Sequence, residues 1–180
     1  MRPIISKPWA RSWRTPRCLH AFVLSVLSLG AMGSGARAQQ GPLQLETRIP
    51  LGSVNGRIDH LAVDLDRKHL FVAELENNSV GIVDLNNGTL LHRITGLEEP
   101  QGVGYVPTLD MLVVANAGDG SVRLFRGGDF AATAKMQLGK DADNVRVDAD
   151  SKSVYVGYGA GALAVIDPAN HAKIKDIALP

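Results

Sequence analysis

The chain has 180 residues, of which 45% are hydrophobic, and a formal net charge of +1. Its single cysteine is Cys18, so the chain beyond it has no disulfide, no thiolate zinc site, no CxxCH haem motif and no cysteine nucleophile. The segment 1–38 also holds 6 of the 19 basic residues and none of the 18 acidic ones, so the remainder has a net charge of −5 and no electrostatic footprint for nucleic acid or an anionic membrane.

The segment 1–38 has the three parts of a secretory signal peptide. A basic stretch without acidic residues at 1–18 precedes an apolar run at 19–33, and Ala36-Arg37-Ala38 then supplies a small-x-small cleavage motif. The apolar run is shorter than the ~18 residues of a membrane-spanning helix. The sequence therefore predicts cleavage after Ala38, a periplasmic or secreted location, and a folded part at 39–180 without a membrane span.

A strand-like segment at 45–52 opens the folded part. Its residues Ile49-Pro50-Leu51-Gly52 match the ends of two later repeats, Met136-Gln137-Leu138-Gly139 and Ile177-Ala178-Leu179-Pro180. We predict that this segment is an orphan fourth strand, of the kind that completes the last blade of a ring.

The rest of the chain repeats one pattern at a constant step. Leu61, for example, recurs as Val103 and then, after the same interval, as Val145. Within each copy the apolar residues alternate with period two, in short Val, Leu and Ile runs separated by turn residues. Four short strands per repeat at a step of roughly 40–45 residues are typical of a β-propeller blade. The sequence therefore predicts an all-β propeller with three blades at about 59–97, 101–139 and 143–180.

Three blades and one extra strand would leave two apolar blade faces and several strand edges exposed. Two interpretations account for this. Either the chain is the front part of a longer protein, which we favour, or it is a subunit that associates with another copy of itself to close the ring.

Two loop motifs resemble ligand sites but are better explained as turns. Asp64-Leu65-Asp66 and Asp148-Ala149-Asp150 lack the Gly and the distant Glu of a calcium-binding hand, so these carboxylates are expected to cap their own turns. The segment 157–162 contains GxGxxA, but a strand pattern follows it where a dinucleotide site needs a helix. We predict a hairpin there, and neither a metal nor another cofactor.

Two segments, LVVANAGDGSVRLF (Leu112–Phe125) and VYVGYGAGALAVIDP (Val154–Pro168), resemble the YVTN-repeat β-propellers, the YncE-like exported proteins of bacteria. The family's tetrapeptide is approached at 112–116, while the first and third repeats carry Glu74 and Tyr158 at the Asn position. The family forms seven-bladed rings, so the resemblance implies that the chain corresponds to the N-terminal half of a ring. The motif is specific for the fold and carries little information on function.

A ligand site is expected where loops from several blades converge, because one fold hosts many functions and only a site distinguishes them. In a propeller, the loops leading into the innermost strands and the hairpins between the second and third strands gather around the central channel. The candidate ligand-binding residues at these positions are Arg57, Asp59, His60, Glu74, Gln101, Asn116, Asp143, Asn144 and Tyr158, with Asp141 beside them.

His60 is the candidate best suited to catalysis, because the adjacent Asp59 could orient its imidazole. Neighbours in a strand point to opposite sides, so the two are not expected to form a dyad unless the loop bends. No serine lies in a GxSxG motif. We therefore predict a non-catalytic module that binds a small ligand or a protein partner at the channel mouth. The alternative is part of a propeller enzyme, either lactonase- or lyase-like or a quinoprotein-like oxidoreductase subunit.

Overall fold

The computed structural model describes residues 43–148, 153–159 and 161–180, and the signal peptide predicted at 1–38 lies outside them. The described chain contains three antiparallel four-stranded sheets. Their strands are β1 (Leu61–Asp64), β2 (His69–Glu74), β3 (Ser79–Asp84) and β4 (Thr89–Ile94); β5 (Pro100–Val106), β6 (Met111–Asn116), β7 (Ser121–Arg126) and β8 (Ala132–Gln137); β9 (Val145–Val147), β10 (Val154–Tyr158), β11 (Ala162–Asp167) and β12 (Ala172–Ala178).

Each sheet is a meander in which consecutive strands pair, as in a propeller blade. We call the three sheets blades 1, 2 and 3 in chain order. The prediction of four short strands per repeat is confirmed, and the only helices in the described residues are single 3-10 turns at Leu75–Asn77 and Pro107–Leu109. The blades share even their irregularity. Each third strand slips register against its fourth, between Ile82 and Val83, between Leu124 and Phe125, and between Val165 and Ile166.

The Asp64 turn and the glycine-rich turn form as the sequence predicts, while the turn predicted at Asp148-Ala149-Asp150 lies partly outside the described residues. The Asp64 carboxylate accepts hydrogen bonds from the backbone N–H groups of Asp66 and Arg67, at 3.0 and 3.2 Å, which confirms that it caps its own turn. In the glycine-rich segment, β10 ends at Tyr158 and β11 begins at Ala162, so the hairpin interpretation is also confirmed.

The core lies between the blades, because each blade is apolar on both faces. Phe71 and Ile82 of blade 1 pack on Val103 and Leu112 of blade 2 in one cluster of eleven buried residues. A second cluster of twelve fills the space between blades 2 and 3. The innermost strands β1, β5 and β9 contact one another in that order, which aligns the blades around a common axis. The chain therefore has a propeller-like all-β fold.

The orphan strand predicted at 45–52 has no further blade to complete within the described residues, so it stays a prediction. No strand is assigned in residues 43–60, although Asp59 and His60 exchange backbone hydrogen bonds with Ala73 of β2. A fourth strand needs the edge of a third strand for its backbone hydrogen bonds, and the third strands of all three blades already pair with β4, β8 and β12. Neither of the two short 3-10 turns, the only helices among the described residues, could span a membrane.

Candidate functional site

Blades 1 and 3 position Asp59 and Asp143 by the same backbone hydrogen bonds. The Asp59 N–H donates to the Ala73 carbonyl at 2.8 Å, and the Asp143 N–H donates to the Gly157 carbonyl at 2.9 Å. These bonds attach the loop before each innermost strand to the second strand of its blade. The two carboxylates therefore sit at matching positions, two repeat steps apart in the sequence, at the end of the blades where the second-to-third-strand hairpins lie.

His60 brings these two carboxylates together. Its Nδ1 lies 3.0 Å from Asp59 Oδ1 and 3.6 Å from Asp143 Oδ1, so it joins the first and third blades across the axis. The loop thus makes the bend that the Asp59–His60 contact requires. Nδ1 itself is buried and has no hydrogen-bond partner among the described residues, so it meets the two carboxylates by close approach alone. We call Asp59, His60 and Asp143 the mouth cluster. Arg57 lies at its edge, with Nη2 3.3 Å from Asp59 Oδ2.

Blade 2 contributes backbone to this region. The Gln101 carbonyl accepts a hydrogen bond from the His60 N–H at 3.4 Å. The next residue, Gly102, has no room for a side chain, because a Cβ there would lie 2.9 Å from the Asp143 carbonyl oxygen. This close approach of blades 2 and 3 holds the Asp143 loop against the axis.

A cavity of about 210 Å³ opens beside the mouth cluster, and we call it the mouth cavity. It has four polar side chains from the predicted region in its lining, namely Asp141, Asp143, Asn144 and Tyr158. Asp141 and Asn144 have positive φ angles of 59° and 22°, a conformation that Asp and Asn adopt more readily than most residues. The Asn144 N–H donates to Asp143 Oδ1 at 2.5 Å and orients that carboxylate.

Tyr158 forms the wall of the mouth cavity next to β12. A hydrogen bond from its phenol to Asp176 raises the pKa of Tyr158, so the group stays protonated and neutral. The Lys173 ammonium lies 5.9 Å from the centre of the ring and pairs with Asp176 at 2.7 Å. The phenol is thus held in place by neighbours within its own blade.

Glu74 and Asn116 do not join the mouth cluster. Both are fully buried and bond to the serine that faces them across their hairpin, Ser79 and Ser121 respectively. The Asn116 Oδ1 has no hydrogen-bond partner among the described residues. Neither side chain has exposed surface in this structure, so neither presents an atom to a ligand here.

The mouth cluster presents carboxylate groups beside the mouth cavity. Two carboxylates meet one imidazole, and the Asp141 carboxylate makes no hydrogen bond or ion pair with the described residues. Across those same residues, no three His, Cys, Asp or Glu side chains are grouped closely enough to hold a metal ion. Such an arrangement suits a ligand that donates hydrogen bonds or carries positive charge.

One polar cluster was not predicted from the sequence. At the opposite end of the blades, Arg67 of blade 1 donates to Asp110 of blade 2 from Nη1 and Nη2, at 2.7 and 2.9 Å, and also to the Tyr105 hydroxyl at 2.8 Å. The two sequence positions are 43 residues apart, close to the repeat step, which is the one signal that could have paired them.

Comparison with known proteins supports the architecture alone. No family model matches the chain, and no curated protein matches it. Among solved structures, hydrazine synthase of Kuenenia stuttgartiensis is similar with a TM-score of 0.64 and 22% sequence identity, over 78% of this chain and 39% of that one. This chain thus spans well under half of the length of that protein, and at this identity the likeness concerns the fold.

Proposed function

We propose that the chain is a binding module whose channel mouth recognises a small ligand that carries positive charge and donates hydrogen bonds. The observation that supports this proposal is the convergence of the Asp59 and Asp143 carboxylates, from different blades, on one buried atom of His60. Two acceptors so placed, with a cavity beside them, favour an ammonium or amidinium group over an anion.

The charge balance supports the same class of ligand. Among the described residues, Asp59 contacts Arg57 and His60, Asp143 contacts His60, and the Asp141 carboxylate has no ion pair. A bound cation would interact with Asp143 and Asp141 without displacing a strong ion pair. We therefore expect an ammonium ligand to bind on the Asp143 side of the cluster, next to Tyr158.

A titration by NMR tests the proposal. Ethylammonium is the probe, with ethanol and acetate as its uncharged and anionic counterparts. We expect ethylammonium alone to shift the amide signals of His60, Asn144 and Gly157. Asp143→Asn should weaken its binding by about 10-fold, the usual loss when a charged acceptor is removed. Asp129→Asn, which removes a carboxylate at the other end of blade 2, is the matched control and should change nothing.

Equal affinity for ethylammonium and acetate, or unchanged affinity in Asp143→Asn, would overturn this function.

Export belongs to the same proposal and rests on the signal sequence. Intact-mass analysis of the secreted or periplasmic protein should then find Gln39 at the N-terminus. A full-length product that stays in the cytoplasm would contradict it.

The alternative function is an enzyme, as part of a lactonase- or lyase-like or quinoprotein-like protein. The observation that favours it is the Asp59–His60 contact, because a carboxylate beside an imidazole can orient it for proton transfer. Elemental analysis of the purified full chain separates the two functions. One equivalent of calcium, zinc or copper would favour the enzyme, and the binding module requires none.

A further inference from the structure

Asparagine is followed directly by glycine at two places in the chain, Asn55-Gly56 and Asn87-Gly88. Such a pair is chemically labile, because glycine has no side chain to keep its backbone nitrogen away from the preceding asparagine amide. Both asparagines are exposed, and the two glycines have nearly the same left-handed φ, +67° and +64°. The difference between the two pairs therefore lies in their hydrogen bonds.

Asp84 holds both members of the Asn87-Gly88 pair. Its Oδ2 accepts a hydrogen bond from Asn87 Nδ2, and its backbone carbonyl accepts one from the Gly88 N–H at 2.8 Å. The pair also lies in the hairpin between β3 and β4, whose strands pair beside it at Asp84 and Thr89. The Asn87 side chain and the Gly88 nitrogen are thus each bonded to Asp84, and neither can approach the other until a bond breaks.

The Asn55-Gly56 pair has no such restraint. It lies before β1, where no strand is assigned, and the Asn55 backbone N–H donates to Asn77 Oδ1 at 3.3 Å. The Asn55 side chain and the Gly56 N–H make no hydrogen bond with the described residues. Glycine is nevertheless required at position 56, because its φ is positive and a Cβ there would clash with the Glu76 carboxylate. The fold thus keeps a glycine after Asn55 while it leaves the reacting atoms unbonded.

Blade 1 itself fixes the position of this unrestrained pair. Its two contacts, Glu76 and Asn77, belong to the 3-10 turn between β2 and β3. At the same end of the blades, Glu98 and Lys140 lie in the loops that lead from blade 1 to blade 2 and from blade 2 to blade 3. Both residues are exposed although the adjoining blades are present on either side. Loops at this end therefore stay accessible to water within a propeller.

We propose that Asn55 is a site of spontaneous deamidation and that Asp84 protects Asn87 from the same reaction. The Gly56 nitrogen attacks Asn55 Cγ, the bond from Cγ to Nδ2 breaks, and the proton lost by the Gly56 N–H leaves with Nδ2 as ammonia. Water then adds to either carbonyl of the succinimide ring, which opens to aspartate or isoaspartate. The net change exchanges ammonia for water and places a new carboxylate two residues before Arg57.

Peptide mapping of the purified full chain, after incubation in a mildly alkaline buffer, tests this modification site. Trypsin releases the two pairs separately, in the peptides 49–57 and 69–93, and mass spectrometry then locates the modified residue. We expect Asn55 to deamidate at least about 10-fold faster than Asn87, because two hydrogen bonds must break before Asn87 can react. In the urea-unfolded chain the two rates should become similar, since these hydrogen bonds are lost.

A variant of the protecting carboxylate gives the sharpest outcome. Asp84→Ala should speed deamidation of Asn87 about 10-fold and leave the rate at Asn55 unchanged. Asp167→Ala is the matched control, because it removes the same cap from the blade 3 turn, where histidine follows Asn170, and it should change neither rate. Circular dichroism verifies that both variants stay folded, with Asp84→Asn as the milder substitute. An unmodified Asn55, an Asn55 no faster than Asn87, or an unchanged Asn87 rate in Asp84→Ala would overturn the proposal.

Discussion

The buried carboxylate of Glu74 accepts two hydrogen bonds from the Arg93 guanidinium, from Nε at 2.7 Å and from Nη2 at 3.0 Å. Glu74 is the only fully buried acidic side chain of the described residues, and Arg93 is 22% exposed. The pair links the end of β2 to β4 across β3. A charge in this position depends on its partner, because water cannot reach it.

Arg93→Met should therefore destabilise the protein strongly. It leaves Glu74 buried without a counter-charge, which costs about 3–5 kcal/mol of unfolding free energy. The measurement is urea denaturation at pH 7. The matched control is the double variant Glu74→Met with Arg93→Met, which removes both charges and should recover most of the loss. A double variant as unstable as Arg93→Met would show that packing, and not the unpaired charge, dominates.

Gly81 on β3 makes room for this ion pair. A Cβ at Gly81 would lie 2.7 Å from Glu74 Oε1. Gly81→Ala should therefore cost about 1–3 kcal/mol by overpacking, measured by urea denaturation. Gly128→Ala is the control, since the nearest atom to its added Cβ is 3.7 Å away. Equal losses of unfolding free energy in the two alanine variants would show that crowding against Glu74 does not restrict position 81.

The strands were predictable because the same pattern of apolar residues recurs in three consecutive repeats. A strand whose faces are buried needs apolar residues at regular positions, and all three blades have them. The segment 45–52 carries the pattern of a fourth strand, but a strand also needs a free partner edge. The described chain does not offer that edge, so the structure does not test this prediction.

The mouth cluster was predictable only in part. Loops that lead into adjacent innermost strands must converge, so Asp59, His60 and Asp143 could be selected by position. Glu74 shares the hairpin position of Tyr158, yet one is buried in an ion pair and the other lines a cavity. The glycine at position 81, in mid-strand, was a signal of close approach, but it did not identify Arg93 as the partner.

The contact between Arg67 and Asp110 should make stability depend on pH. Hydrogen bonds from Arg67, and next from Tyr105, hold the pKa of Asp110 below its usual value of 3.8. The folded state then binds fewer protons than the unfolded state, so this contribution is present above the unfolded pKa and is lost as pH falls through the folded pKa. Both side chains are about two-fifths exposed, at 41% and 42%, which limits the contribution to about 1 kcal/mol.

Asp110→Asn should thus lower the urea midpoint at pH 7 and flatten its decline between about pH 5 and pH 2. The remaining slope would come from carboxylates such as Asp64. For Asp64, burial opposes ionisation, but hydrogen bonds from Arg67 outweigh it and lower its pKa. Asp66→Asn, in the same turn as Arg67, is the control for loss of one negative charge, because the Asp66 carboxylate has no ion pair with Arg67. An unaltered slope in Asp110→Asn would refute the assignment.

Phe130 connects blades 1 and 2 at their outer edge from a constrained backbone position. Its ring stacks on His92 with centroids 5.3 Å apart and meets Phe71 edge-on at 6.4 Å. Its φ is +57°, in the left-handed region that costs residues with a Cβ about 1–2 kcal/mol. The aromatic contacts therefore offset a local backbone penalty.

This balance predicts an unusual order of stability. Phe130→Ala should lose about 1–2 kcal/mol, since it removes both ring contacts and keeps the strained φ. Phe130→Gly loses the same contacts but relieves the strain, so it should be more stable than the alanine variant by about 0.5–1 kcal/mol. Thermal or urea denaturation measures the difference. The neighbouring Asp129 has an ordinary φ, and there the glycine variant should be no more stable than the alanine variant. Alanine exceeding glycine at both positions would mean that Phe130 carries no backbone strain.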